Sequence, residues 1–226
     1  MNLVQKLPIG LGLACLMFIS SCSKEDAATP ESVTNESSNL RQGGLVITSV
    51  YHLPSTEGPT CVGCEPAGWK FDKPGQDATS SLIAYGGHPL KKWSKPLATP
   101  STGAGSIITI TSKGYKHGGG AKAQIKNLIK GKKYKLTASV STTSLYGDNG
   151  PYSYVASLAV MDGPLDVLGY KQVHFPGKQN QWITETVEFV AWSTEQTLRI
   201  YSYGEDQNNL AYTNFHVGPN AVQQID

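Results

Sequence analysis

Apolar and polar positions alternate with a period of two through much of the chain after Ser106, while helix-length apolar periodicity is hard to find. The clearest run, AKAQIKNLIKGKKYKLTASV, begins at Ala121. A first alternating stretch ends at Leu128-Ile129 and Lys130-Gly131-Lys132 breaks it. Tyr134, Leu136, Ala138 and Val140 then alternate with Lys135, Thr137 and Ser139. Period two across a glycine break predicts two strands joined by a turn, each with one buried face. Further strands are predicted at Leu45 to Val50, Leu82 to Tyr85, Ser106 to Ser112, Tyr152 to Met161, Trp182 to Phe189, Gln196 to Tyr203 and Ala211 to Val217. Pro54 to Gly68 reads as a long loop, His117 to Gly120 as a flexible one, and Leu165 to Gln181 as irregular.

Composition sharpens this picture. With 24 Gly and 13 Pro in 226 residues, and with aromatics that are mostly Tyr, the chain suits an all-β sandwich with many turns. One domain of ordinary size is expected at residues 43–220, followed by a C-terminal tail at 221–226. The formal net charge of +2, which falls to +1 if residues 1–21 and Lys6 with them are removed, excludes a nucleic-acid partner. Lysines cluster at Lys91, Lys92 and Lys95 and again from Lys126 to Lys135, a pattern that keeps strand edges solvated; a contact surface for an anionic glycan or lipid headgroup is the alternative.

The N-terminus has its own logic. Residues 1–21 read as a signal peptide, with Lys6 ahead of an apolar core from about Leu7 to Ile19. Ile19-Ser20-Ser21-Cys22 resembles the bacterial lipobox, which implies that Cys22 becomes the lipidated N-terminus. Lys24-Glu25-Asp26 behind it looks like the export signal of Bacteroidota surface lipoproteins. The implied address is the outer membrane, lipid-anchored and facing the cell exterior. Residues 22–42 are otherwise Ser, Thr, Asn, Glu and Pro with almost no apolar side chain, so they read as a tether.

Cys61 and Cys64 lie in the Pro/Gly-rich loop. Glu65 stands where haem attachment needs His, and Pro59, Gly63 and Pro66 oppose the helix of a thioredoxin-like site. A local disulfide is the simplest outcome in an oxidising compartment; a zinc site completed by His52 or His88, or free thiols, are the alternatives.

The succession of Leu128, Gly131, Tyr134 and Leu136, then Trp182 and Phe189, then a closing strand, resembles carbohydrate-binding modules of families four and nine. These belong to the wider galactose-binding-like jelly rolls, and the resemblance covers roughly Gly118 to Val217. It implies a β-sandwich with a jelly-roll course and a glycan ligand, either polysaccharide or oligosaccharide. It also implies a structural role for Trp182, and for Trp69 of the Gly68-Trp69 pair either packing in the core or at the sandwich edge, or a place facing the ligand. In those modules an aspartate near the position of Asn214 can hold a structural calcium, which is the one cofactor that the resemblance leaves open; no metal ligands are assigned.

Candidate binding residues follow from alternation. If Leu198 and Ile200 face the core, Arg199, Tyr201 and Tyr203 share the opposite face. Aromatic rings receive the C–H faces of a pyranose, and a guanidinium fork holds its hydroxyls. Thr137 and Ser139 supply a small polar floor if their strand shares that sheet. Trp93, in a polar loop among lysines and either tucked back onto the domain or presented for stacking, and Tyr146, in the run from Ser141 to Pro151, complete the candidates. Acids are few and dispersed, so no catalytic residue is assigned. The expectation is therefore a non-catalytic glycan-binding surface lipoprotein. The alternative is an accessory subunit of an outer-membrane protein complex that acts through protein contacts.

Overall fold

The computed structural model describes residues 40–42, 45–47, 52–59, 61, 63–72, 79–82, 85–114, 118–148 and 150–226. Cys22, Lys24, Glu25, Asp26, His117, and the expected strand residues 48–50 and 83–84 lie outside them.

Fifteen strands are described: β1 (Leu40–Gln42), β2 (Leu45–Ile47), β3 (Trp69–Phe71), β4 (Thr79–Leu82), β5 (Gly87–His88), β6 (Lys91–Lys92), β7 (Ile107–Ser112), β8 (Gly119–Ile125), β9 (Lys133–Thr143), β10 (Ser153–Asp162), β11 (Asp166–His174), β12 (Ile183–Val190), β13 (Gln196–Gly204), β14 (Ala211–His216) and β15 (Val222–Gln224). Two antiparallel sheets form the body. One has five strands in the order β11-β10-β13-β8-β3; the other has six, in the order β12-β9-β14-β7-β4 with β15 beside β9. From β7 to β14 the chain changes sheet at every connection except the β10–β11 hairpin. This is the expected all-β jelly-roll sandwich.

The core lies between the sheets, where alternation puts it. Tyr134, Leu136, Ala138 and Val140 of β9 meet Ala156, Leu158 and Val160 of β10 and Leu198 and Ile200 of β13, all buried. Each large apolar side chain removed from water contributes about 1.5–3 kcal/mol before the entropy of ordering it is subtracted. The Lys130-Gly131-Lys132 break is a turn with Gly131 at φ 85°, closed by the Gly131 amide on the Ala191 carbonyl at 2.7 Å. The strands on either side, β8 and β9, join different sheets, so the turn is an arch over the end of the sandwich. Trp69 is buried and its indole N–H donates to the Ser55 carbonyl at 3.0 Å, as suits a structural tryptophan.

Five expectations need correction. Residues 221–226 are not a tail: Ala221 and Val222 are buried, and β15 pairs with β9. Leu40–Gln42, at the end of the expected tether, pair with Leu45–Ile47. The irregular stretch contains β11, an edge strand whose residues are mostly exposed, so burial imposes no apolar alternation on it. Gly119 and Gly120 open β8 and are buried rather than forming a flexible loop. Finally, Thr137 and Ser139 belong to β9 in the six-stranded sheet, so they form no floor beside Tyr201. Cys61 and Cys64 are disulfide-bonded, with Cα atoms 5.5 Å apart.

Candidate functional site

β13 alternates buried and half-buried residues along its whole length, which turns Arg199, Tyr201 and Tyr203 to the outer face of the five-stranded sheet. The register sets their neighbours. On one side β10 places Ala159 opposite Arg199, Ser157 opposite Tyr201 and Val155 opposite Tyr203. Beyond β10, β11 places Tyr170, Gln172 and His174 opposite those same three residues. Two walls of larger side chains thus flank a floor of small ones, and alternate strands stand roughly 10 Å apart. His174 packs edge-to-face on Tyr154 with centroids 5.7 Å apart.

On the other side, β8 places Lys122 opposite Arg199, and Gly120 opposite Tyr201. A Cβ built on Gly120 would stand 2.7 Å from Cε1 of Tyr201, and one on Gly118 only 2.5 Å from Cε1 of Tyr203. The tyrosine rings therefore occupy the space that β8 side chains would fill. They lean over the glycine backbone and away from the floor of small residues. The two glycines permit that placement, since any side chain there would displace a ring.

Electrostatics fix the remaining parts. Lys122 Nζ lies 3.3 Å from Asp72 Oδ1. Burial, and then hydrogen bonding to the Asp72 carboxylate, push the Tyr201 hydroxyl up to about 12, so it stays protonated and can donate. Lys70 pairs with Glu65 at 3.0 Å. Beyond Tyr203 the face runs into a hollow of about 330 Å³ lined by Tyr152, Tyr154, Glu205 and Asp206 among others. There Ser144 Oγ and Asn180 Nδ2 donate to the Tyr152 hydroxyl and lower its pKa, the Ser144 bond foremost.

The other two candidates stand elsewhere. Trp93 is only 3 % exposed and packs on Ile107 and on the Tyr212 ring, 5.6 Å between centroids. It holds a loop down on the six-stranded sheet and presents no stacking face, which corrects its assignment. Tyr146 is 79 % exposed, but its amide bonds the Lys92 carbonyl and Leu145 bridges to Trp93, so it stands with that covering loop.

Beneath the loop the outward residues of β7, β9 and β14 are buried. Thr109 Oγ1 donates to Asn214 Oδ1 at 2.7 Å, and Asn214 Nδ2 donates to Thr143 Oγ1 at 2.9 Å. Asn214 thus spends its amide on neighbouring hydroxyls. His216 Nδ1 bonds Thr102 Oγ1 at 2.6 Å, and burial lowers the histidine's pKa. Trp182 donates its indole N–H to the Ala98 carbonyl at 2.6 Å, in keeping with a structural role. A larger hollow of about 570 Å³ opens at the edge of this face, lined by Ser101, Thr102, Lys135, Thr137, Thr184 and Gln223 among others. Several of its hydroxyls bond one another, and its lining carries no aromatic ring.

Sequence reasoning missed Gly118, Gly120, Lys122, Asp72 and the β11 wall. No local signal marks the wall, because Lys171 stands between Tyr170 and Gln172 and the exposed strand shows no apolar alternation.

No family model and no curated relative matches the sequence. Solved structures do. A cyclase from Fischerella sp. TAU, in complex with 4-(1H-indol-3-yl)butan-2-one, is similar at TM-score 0.51 and 13 % identity, over 76 % of this chain and 95 % of its own. An arabinose-bound α-L-arabinofuranosidase follows at TM-score 0.46 and 10 % identity, over 76 % and 28 % of the two chains. A carbohydrate-binding module of the β-sandwich superfamily has TM-score 0.43 and 12 % identity, over 70 % and 57 %. These neighbours include both enzymes and binding modules, and at such identities likeness speaks to the fold alone.

Proposed function

We propose that the protein is a non-catalytic glycan-binding lipoprotein that uses the outer face of the five-stranded sheet as its platform, anchored through Cys22 at the outer membrane and facing the exterior. The observation that carries this reading is the placement of Tyr201 and Tyr203 over glycine backbone, beside Arg199 and a floor of small residues. Rings so placed offer their faces to the C–H face of a pyranose, while Arg199 and Gln172 supply directed polar contacts. The non-catalytic role is supported by the chemistry of the platform. The carboxylate beside the rings, Asp72, is paired with Lys122, and Glu205 and Asp206 lie past Tyr203 at the far end of the face, whereas glycoside hydrolysis needs two carboxyl groups flanking the bond. Anchoring rests on the Ser20-Ser21-Cys22 and Lys24-Glu25-Asp26 patterns of the sequence.

The test is affinity electrophoresis of the full-length chain through gels containing a panel of polysaccharides. Wild type is expected to be retarded by at least one polymer. The Tyr201→Ala, Tyr203→Ala double variant should lose at least tenfold in affinity while its melting temperature falls by only a few degrees. Unchanged retardation of the double variant would remove the platform from the site.

One observation favours a second reading, the accessory subunit of an outer-membrane complex. The Ser193 hydroxyl donates to Asp162 at 2.9 Å, which sets Trp192, 54 % exposed, near the hairpin tip that carries Leu165, 85 % exposed. Pull-down of a stoichiometric membrane partner that is lost in Trp192→Ala would favour it.

A further inference from the structure

We propose that the platform selects acidic glycans, with Arg199 seating a sugar carboxylate; this rests on the glycan-binding reading above and names the class of sugar. Among the described residues, the cations that share the row of Arg199 in the sheet each have a carboxylate partner. Lys122 meets Asp72, and Lys70 meets Glu65. Arg199, in the middle of the sheet, takes part in no ion pair among the described residues, and its Nε is buried without a hydrogen-bond acceptor there.

With Nε enclosed by the protein, the edge that Arg199 can offer is the terminal one, its two Nη groups, which a carboxylate matches with two parallel hydrogen bonds. Neutral hydroxyls can satisfy one of those donors but match the edge poorly. The register supplies what surrounds the bound group: Tyr170 across Ala159 on one side, Lys122 on the other. The neighbouring row, Thr197 and Gln124, is neutral, and its two side chains bond one another at 3.2 Å. Along this row Arg199, Lys122 and Lys70 face two carboxylates, Asp72 and Glu65, which leaves one cation in excess. Glu205 and Asp206 lie past Tyr203 at the far end of the face. An acidic sugar is thus drawn to the Arg199 end, and its neighbour along the chain lies over Tyr201.

Matched polymers test this. Polygalacturonate, alginate and hyaluronan are each paired with their carboxyl-reduced forms, which keep the backbone and lose the charge, and the full-length chain is run in affinity gels against all of them. Retardation by at least one acidic polymer is expected, weaker by tenfold or more for its reduced partner. Arg199→Gln should bring the acidic polymer down to the level of the reduced one with an unchanged circular-dichroism spectrum, and Arg199→Lys should recover part of the loss. Equal binding of acidic and reduced forms, binding of reduced forms alone, or an acid preference that survives Arg199→Gln would overturn the carboxylate seat. In those cases the glycan platform itself still stands. Absence of retardation by every polymer, neutral ones included, would overturn both.

Discussion

The two outer faces of this sandwich start from the same material and end in opposite states. β13 sends Arg199, Tyr201 and Tyr203 outward from the five-stranded sheet; β14 sends Tyr212, Asn214 and His216 outward from the six-stranded one. The first set is half-buried, open above and flanked by small residues. The second is buried under the loop pinned by Trp93, and Asn214 and His216 bond Thr102, Thr109 and Thr143. Strand alternation decides which residues leave the core. What lies over them decides whether they bind one another or something else.

The largest effect is expected where the covered face is broken. Trp93→Ala removes a buried indole from between the loop and Ile107, a change that costs about 3–5 kcal/mol and lowers the melting temperature by roughly 10 °C. Measured well below that transition, glycan affinity should not change, because the platform lies on the other sheet. A loss of affinity equal to that of the tyrosine variants would show that the two faces are not independent.

A smaller change sharpens the comparison on the open side. Gly120→Ala places a methyl group 2.7 Å from Cε1 of Tyr201, closer than carbon atoms pack, and so displaces the ring. Stability should move by about 1 kcal/mol or less, while affinity for the bound glycan falls several-fold. Isothermal titration beside a melting curve separates the two.

The smallest effect is the acid response of the covered face. Burial lowers the pKa of His216 below its ordinary 6.5. As pH falls through 6.5 the unfolded chain therefore takes up the proton first, and stability present above that pH is lost toward the native pKa. Between pH 7.5 and 5 the melting temperature of wild type should drop more than that of His216→Asn. Parallel slopes would show that His216 is not the group responsible.

Much of this fold was legible in the sequence. β9 and β13 could be read from Tyr134 to Val140 and from Leu198 to Tyr203 because each has one face in the core, and burial writes itself as alternation. β11 could not be read so, because a mostly exposed edge strand is under no such constraint. The site was legible for the same reason on β13 and no further. Gly118 and Gly120 matter through the rings that cover them, a relation across strands that no local pattern records. Trp93 was open to either reading because a tryptophan in a polar loop serves equally to pin the loop or to meet a ligand. Only the position of Ile107 and Tyr212 beneath it decides.

The tyrosines and the glycines below them also constrain how such a face can be retuned. Tyr201 with Gly120 and Tyr203 with Gly118 are units of two, in which one member shields the other's main chain from water. A library that varies the rings alone would bare β8, and one that varies the glycines alone would unseat the rings. Exchanging both members together, for instance a small residue on β13 with a larger one on β8, moves the aromatic surface sideways by one strand without opening the sheet. Specificity on this face would thus change by relocation of its rings, in steps of one strand spacing.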